Sequence, residues 1–135
     1  MTTLSESPRS ALVIDDDPSI RNLVATILQR EDFEVDLARD GSEALELLGA
    51  RKYGLVLLDL MMPRVNGYEV LAHLQENDPD TVNHVVVMTA TSDADLAKLD
   101  QTGLCGLIRK PFDLEDFRAY ITDCYEKVTG SNESS

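Results

Sequence analysis

Leu55-Val56-Leu57-Leu58-Asp59 is an apolar run that ends in a carboxylate, and Leu60-Met61-Met62-Pro63 follows at once. Four successive apolar residues suit a strand whose two faces are both covered. An acid where such a strand runs out is costly unless it has solvent or a partner within reach. Three other runs stop in the same manner. Ala11-Leu12-Val13-Ile14 leads into Asp15-Asp16, Val85-Val86-Val87-Met88 into Thr89, and Leu107-Ile108-Arg109 into Lys110. Four strand ends thus carry three carboxylates, one hydroxyl and one ammonium. That set of groups suits a divalent cation and a phosphoryl group.

Between these runs lie stretches with helical periodicity. Ile20, Leu23, Val24, Ile27 and Leu28 recur at helical spacing, with Asp17 as N-cap and Pro18 at the first helical position. Ala44, Leu45, Leu47 and Leu48 mark a second helix after Ser42, and Tyr68, Leu71, Ala72 and Leu74 a third after Asn66-Gly67. Residues 93–102 form a weaker fourth. Leu114, Phe117, Tyr120, Ile121, Cys124 and Val128 stripe a fifth, capped by Asp113.

Five alternations of strand and helix imply an α/β fold, a doubly wound parallel sheet of the (βα)5 type with helices on both faces. The run Phe33-Glu34-Val35-Asp36-Leu37 alternates in polarity and suits one edge; Gly106 to Arg109 is short and suits the other. A flavodoxin-like strand order of 2-1-3-4-5 fits both. In such sheets ligands sit beyond the carboxyl ends of the strands, where the strand order reverses. Asp15, Asp16 and Asp59 belong there.

With 135 residues and 43% hydrophobic content, one folded domain is expected. Residues 1–8 and 130–135 read as polar tails around a domain at 9–129. No run approaches the roughly 18 apolar residues of a membrane span, and no secretion signal opens the chain. With 25 acidic and 12 basic residues the formal charge is -13. That balance argues against nucleic acid and anionic lipid as partners. Cys105 and Cys124 lack metal-ligand spacing and a disulfide framework, which fits reduced buried thiols in a cytoplasm.

Three carboxylates in one pocket repel each other, and a cation relieves the repulsion. Oxygen donors suit Mg²⁺, or Mn²⁺ in its place, better than zinc, and neither His73 nor His84 stands beside the acids. A carboxylate is also a nucleophile towards phosphorus, giving an acyl phosphate. The metal, the Lys110 ammonium and the Thr89 hydroxyl could then share the charge on the three equatorial oxygens.

Four motifs in order, each at a strand end, now match a family. They are Val13-Ile14-Asp15-Asp16-Asp17-Pro18, Leu57-Leu58-Asp59-Leu60-Met61-Met62-Pro63, Val87-Met88-Thr89-Ala90 and Lys110-Pro111-Phe112. The chain resembles the receiver domain of two-component response regulators over about residues 9–129. The resemblance implies that Asp59 accepts phosphate from a phosphohistidine on a histidine kinase or histidine phosphotransfer protein. It implies a Mg²⁺ site of Asp15, Asp16, Asp59 and the Met61 carbonyl, with Lys110 and Thr89 contacting the phosphoryl group. It also implies a cis Lys110-Pro111 bond. In similar proteins the residue three before the pocket lysine is Tyr or Phe, whose ring turns inward; here that switch position is Leu107. Phosphorylation is therefore expected to rearrange the segment from Thr89 to Gly106, with little change at Leu107.

The expected protein is a cytoplasmic, single-domain response regulator, a phosphoacceptor and not an enzyme. It would act through a downstream protein or a phosphorelay. Two rivals remain at this level. Asp15-x-Asp17 imitates the nucleophile and acid of a haloacid-dehalogenase-like phosphatase, which would leave Asp59 without a role. A receiver-shaped interaction module that is never phosphorylated would have no use for the full set of pocket residues. Among the blander readings, Asp17 is a helix cap, Asn66-Gly67 a turn with positive φ, His73 a helix-surface residue and His84 the start of a strand. Met61 and Met62 read as packing groups. Tyr53, Tyr68, Tyr120 and Tyr125 carry no functional signature.

Overall fold

A computed structural model describes residues 9–62, 66–90, 99, 101 and 103–129. Strands β1 (Ser10–Ile14), β2 (Glu34–Ala38), β3 (Leu55–Asp59), β4 (Val85–Thr89) and β5 (Gly106–Arg109) form one sheet in the order β2-β1-β3-β4-β5. Every pairing is parallel. The alternating strand and the short strand occupy the two edges, as expected from their composition.

Along the three central strands, successive residues point to opposite sides, and two cores result. Leu12, Ile14, Val56, Leu58, Val85 and Val87 face α2 (Gly41–Ala50) and α3 (Gly67–Asn77), meeting Ala44, Leu48, Val70, Leu71 and Leu74. Ala11, Val13, Leu55, Leu57, Val86 and Met88 face α1 (Pro18–Arg30) and α5 (Leu114–Thr129), meeting Val24, Ile27, Leu28, Phe117, Ile121 and Cys124. Burying each large aliphatic side chain contributes about 1.5–3 kcal/mol, so both layers are needed to hold the sheet.

Helix α1 begins as its sequence demands. Asp17 is extended (φ -85°, ψ 111°), its carboxylate accepts the Ser19 N–H at 2.9 Å, and Pro18 follows at the first position. Helix α2 starts two residues earlier than expected. Its cap is Asp40, which accepts the Glu43 N–H at 2.9 Å, while Ser42 lies inside the first turn. The Glu43 carboxylate reaches back to the Arg39 N–H (2.7 Å), and that reciprocal bond favours Asp40 over Ser42.

The reading of Asn66-Gly67 as a positive-φ turn is corrected. Asn66 is extended (φ -87°) and caps α3 through a reciprocal box with Glu69. Among the described residues only Asp32 and Gly103 have positive φ. Gly67 is required for another reason: a Cβ there would collide with the Asp59 carbonyl oxygen and the Leu60 Cα. The start of α3 therefore rests directly on the backbone of the acid.

A short helix, α4 (Pro79–Val82), was not expected. Asp78 precedes it, accepting the Thr81 hydroxyl at 2.7 Å. The expected helix over 93–102 falls largely outside the described residues. In α5, Asp113 takes the N–H groups of Glu115 and Asp116, both at 3.1 Å. Its buried face is Phe117, Ile121, Cys124 and Tyr125; Leu114 and Tyr120 are instead exposed (47% and 37%). The stripe shifts because Tyr125 packs edge-on against Phe33 (5.0 Å), and the Arg9 guanidinium lies over both rings. Among the described residues no helix is long and apolar enough to cross a membrane.

Candidate functional site

The carboxyl ends of β1 and β3 are neighbours, and Ile14 pairs with Leu58 in the register. The residues that follow each pair are therefore delivered to one spot. Carboxylate oxygens of Asp15, Asp16 and Asp59 lie within 4.8 Å of one another. Asp15 is fully buried, Asp59 is 3% exposed, and Asp16 faces solvent. Asp17 stands outside the cluster, its carboxylate spent on the helix cap.

Lys110 reaches this spot from the far edge strand. Its Nζ donates to Asp15 Oδ2 at 2.9 Å and pairs with Asp59 Oδ2 at 3.5 Å. Two constraints hold its backbone in place: the Lys110 N–H donates to the Thr89 carbonyl (2.8 Å), and Phe112 stacks on Phe117 of α5 at 4.7 Å. The Lys110-Pro111 bond is cis, as the resemblance implied. Thr89 is fully buried and follows Met88, the register partner of Asp59.

Backbone N–H groups hold the other oxygens. Asp17 N–H donates to Asp15 Oδ1 (3.0 Å) and Met61 N–H to Asp59 Oδ1 (3.1 Å). The Met61 side chain is 57% exposed, so only Met62 serves as a packing group. Leu107 is partly buried against the α2–α3 side, and its N–H donates to the Tyr120 hydroxyl at 3.0 Å. The Tyr120 ring lies over Gly106, where a Cβ would meet it.

Electrostatics follow from the burial. Loss of water pushes the Asp59 carboxyl up to about 7, and the Asp15 charge adds to the effect; Lys110 and the Met61 N–H pull the other way. For Lys110, burial works against the ammonium. The Asp15 hydrogen bond and the charges of Asp59 and Asp15 outweigh it, leaving the group above its ordinary value. When all three acids are ionised, one ammonium leaves two negative charges in excess among the described residues of the site. Two carboxylates within 4.8 Å repel by about 3.5 kcal/mol at an effective dielectric of 20. A hard cation with oxygen preference fits that donor set.

Some contributors were invisible in the sequence. Arg21 donates from α1 to the Asp15 carbonyl (2.9 Å), fixing the end of β1, yet an arginine in a first helical turn reads as surface. Tyr120 gave no signal because its partner is a backbone N–H. His73 bonds with Asn77 within α3, and His84 Nδ1 lies 3.0 Å from the Gly54 carbonyl before β3, far from the acids.

A profile of the response regulator receiver domain matches residues 11–122. The chain belongs to the response regulator receiver family. Receiver domains are signalling modules of two-component systems, phosphorylated on aspartate by histidine kinases and binding Mg²⁺ in an acidic pocket. Response regulator Rre1 of a Synechocystis species is 34% identical over 94% of this receiver and 56% of its own length. Response regulator ArlR of Staphylococcus saprophyticus is 34% identical over 82% and 49%. This receiver spans about half the length of the curated relatives it matches. Among solved structures, response regulator TrrA of Thermotoga maritima, in complex with Mg²⁺ and BeF, superposes with a TM-score of 0.76. It is 29% identical and covers 86% of this receiver and 98% of its own chain. A signal receiver domain from Pseudomonas fluorescens superposes at 0.82 with 21% identity over 98% and 97%, which establishes the fold. The dehalogenase-like rival falls with this assignment, as does the pairing of Asp15 with Asp17 that prompted it.

Proposed function

We propose that this receiver accepts a phosphoryl group on Asp59 from a phosphohistidine of a histidine kinase or phosphotransfer protein. The observation that carries the reading is the convergence of Asp15, Asp16 and Asp59 oxygens, with Lys110 bonded to both buried acids. Asp15, Asp16, Asp59 and the Met61 carbonyl would hold Mg²⁺, the ion found with TrrA; the donor set is oxygen throughout. Bound there, the dication would offset the excess negative charge and polarise the phosphoryl oxygens.

The chain's own residues do the rest. The Met61 N–H fixes Asp59 Oδ1, which orients the carboxylate. An Asp59 oxygen attacks phosphorus in line with the leaving imidazole nitrogen; the O–P bond forms, the P–N bond breaks, and the nitrogen keeps the electron pair. Lys110 then exchanges its carboxylate contact for a phosphoryl oxygen, and the Thr89 hydroxyl donates to another. Loss of the Lys110–Asp59 pair and movement at Thr89 would alter the β4–β5 side, so that a downstream protein binds differently or the phosphoryl group passes along a relay.

The test uses the purified chain with acetyl phosphate and Mg²⁺. One phosphoryl group, labile to hydroxylamine, should appear in the intact mass and disappear in Asp59→Asn or with EDTA. Labelling that persists in Asp59→Asn would overturn the proposal.

A further inference from the structure

Cys105 and Cys124 have no part in the carboxylate pocket. Cys105 lies immediately before β5, with its N–H donating to the Val85 carbonyl at 2.9 Å. Cys124 is on the buried face of α5 and only 2% exposed. Nineteen residues apart in sequence, they meet in space. Cys124 Sγ donates to the Cys105 carbonyl oxygen at 3.5 Å, and Cys105 packs against the core layer that holds Cys124. Both are free thiols, and Cys105 is partly exposed while Cys124 is enclosed.

The contact makes the two sulfurs unequal. The Cys105 side chain beside it draws the Cys124 thiol down, against its burial and with help from Lys127. The same contact, with burial, pushes Cys105 up. Two sulfurs are too few to hold a structural zinc ion, and they stand apart from the acidic cluster. Because Cys124 is enclosed, the sulfur within its reach is that of Cys105, which favours an internal bond over a bond between molecules.

We propose that Cys105 and Cys124 are an oxidisable dithiol that closes to an intramolecular disulfide when the protein meets hydrogen peroxide. One sulfur, as thiolate, attacks peroxide: an S–O bond forms, the O–O bond breaks, and hydroxide leaves and is protonated to water. The second sulfur attacks the resulting sulfenic acid; the S–S bond forms, the S–O bond breaks, and a second water departs. Two thiols lose two electrons and two protons, and peroxide is reduced to water. The new bond ties the start of β5 to α5 and closes a loop containing Leu107, Lys110, Phe112 and Tyr120.

Reduced full-length chain is treated with hydrogen peroxide, and intact mass is measured without reductant. The expected product is a monomer lighter by two hydrogens. Its thiols resist maleimide after unfolding, a Cys105–Cys124 peptide pair is recovered, and dithiothreitol reverses the change. Cys105→Ser, checked for folding by circular dichroism, should lose no hydrogens under the same treatment. Wild-type protein whose cysteine-containing peptides gain oxygen atoms, that forms covalent dimers, or that keeps both thiols open to maleimide would overturn the proposal, and this result needs no variant.

Discussion

Removing the charge of Asp59 should stabilise the metal-free fold at neutral pH, although the residue is central to the site. Burial and the neighbouring Asp15 raise its carboxyl from 3.8 to about 7. Each pH unit corresponds to about 1.4 kcal/mol, so the full shift is worth about 4 kcal/mol. Solvent reaching the pocket and coupling to Asp15 reduce this to about 2 kcal/mol. The sign follows from proton counts. Between pH 4 and 7 the folded state holds the Asp59 proton while the unfolded chain has released it, so stability falls as pH rises through that window. Asp59→Asn removes the dependence. Urea unfolding followed by circular dichroism, in EDTA, should give equal stability near pH 4 and an advantage of about 2 kcal/mol for the variant at pH 8. That is about 1 M in midpoint for a typical urea slope. Addition of Mg²⁺ should reverse the order in part, because wild type gains about 1.4 kcal/mol at ten times its Kd. A variant less stable than wild type at pH 8 without metal, or a difference that ignores pH, would refute the reasoning.

Other perturbations test other parts of the site. Gly67→Ala places a methyl against the Asp59 carbonyl and should cost at least about 2 kcal/mol, read as a lower melting temperature. Lys110→Met leaves Asp15 and Asp59 without their cation. It should slow labelling by acetyl phosphate at least about tenfold, and an NMR titration should place the Asp59 carboxyl above its wild-type value. Tyr120→Phe withdraws the acceptor from the Leu107 N–H, which should cost about 1 kcal/mol and speed exchange of that amide.

The strand ends were legible because a buried run and the acid that stops it are adjacent in sequence, so Asp15, Asp16, Asp59 and Lys110 announced themselves. Sheet order was legible from polarity: Glu34 and Asp36 are tolerated at an edge and nowhere else in this sheet. What stayed hidden depended on tertiary contact. Asp40 and Ser42 are both good caps two residues apart, and the Glu43–Arg39 bond decides between them. Gly67 looked like a turn because close approach of a backbone leaves no pattern in sequence. The phase of α5 was misread at Leu114 and Tyr120 because the aromatic contact that draws Tyr125 inward comes from Phe33 and Arg9, far back in the chain. Arg21 and the Cys105–Cys124 contact were silent for the same reason.

The division of the sheet's methyl groups between two hydrophobic layers has a bearing on how this protein tolerates change. Sliding β3 by a single position would transfer Leu55 and Leu57 to the layer that holds Val56 and Leu58, and would move Asp59 away from its partner acids. Misregistered chains are thus penalised by oil before they are penalised by chemistry. Insertions inside the central strands should be lethal to folding as well as to phosphate transfer.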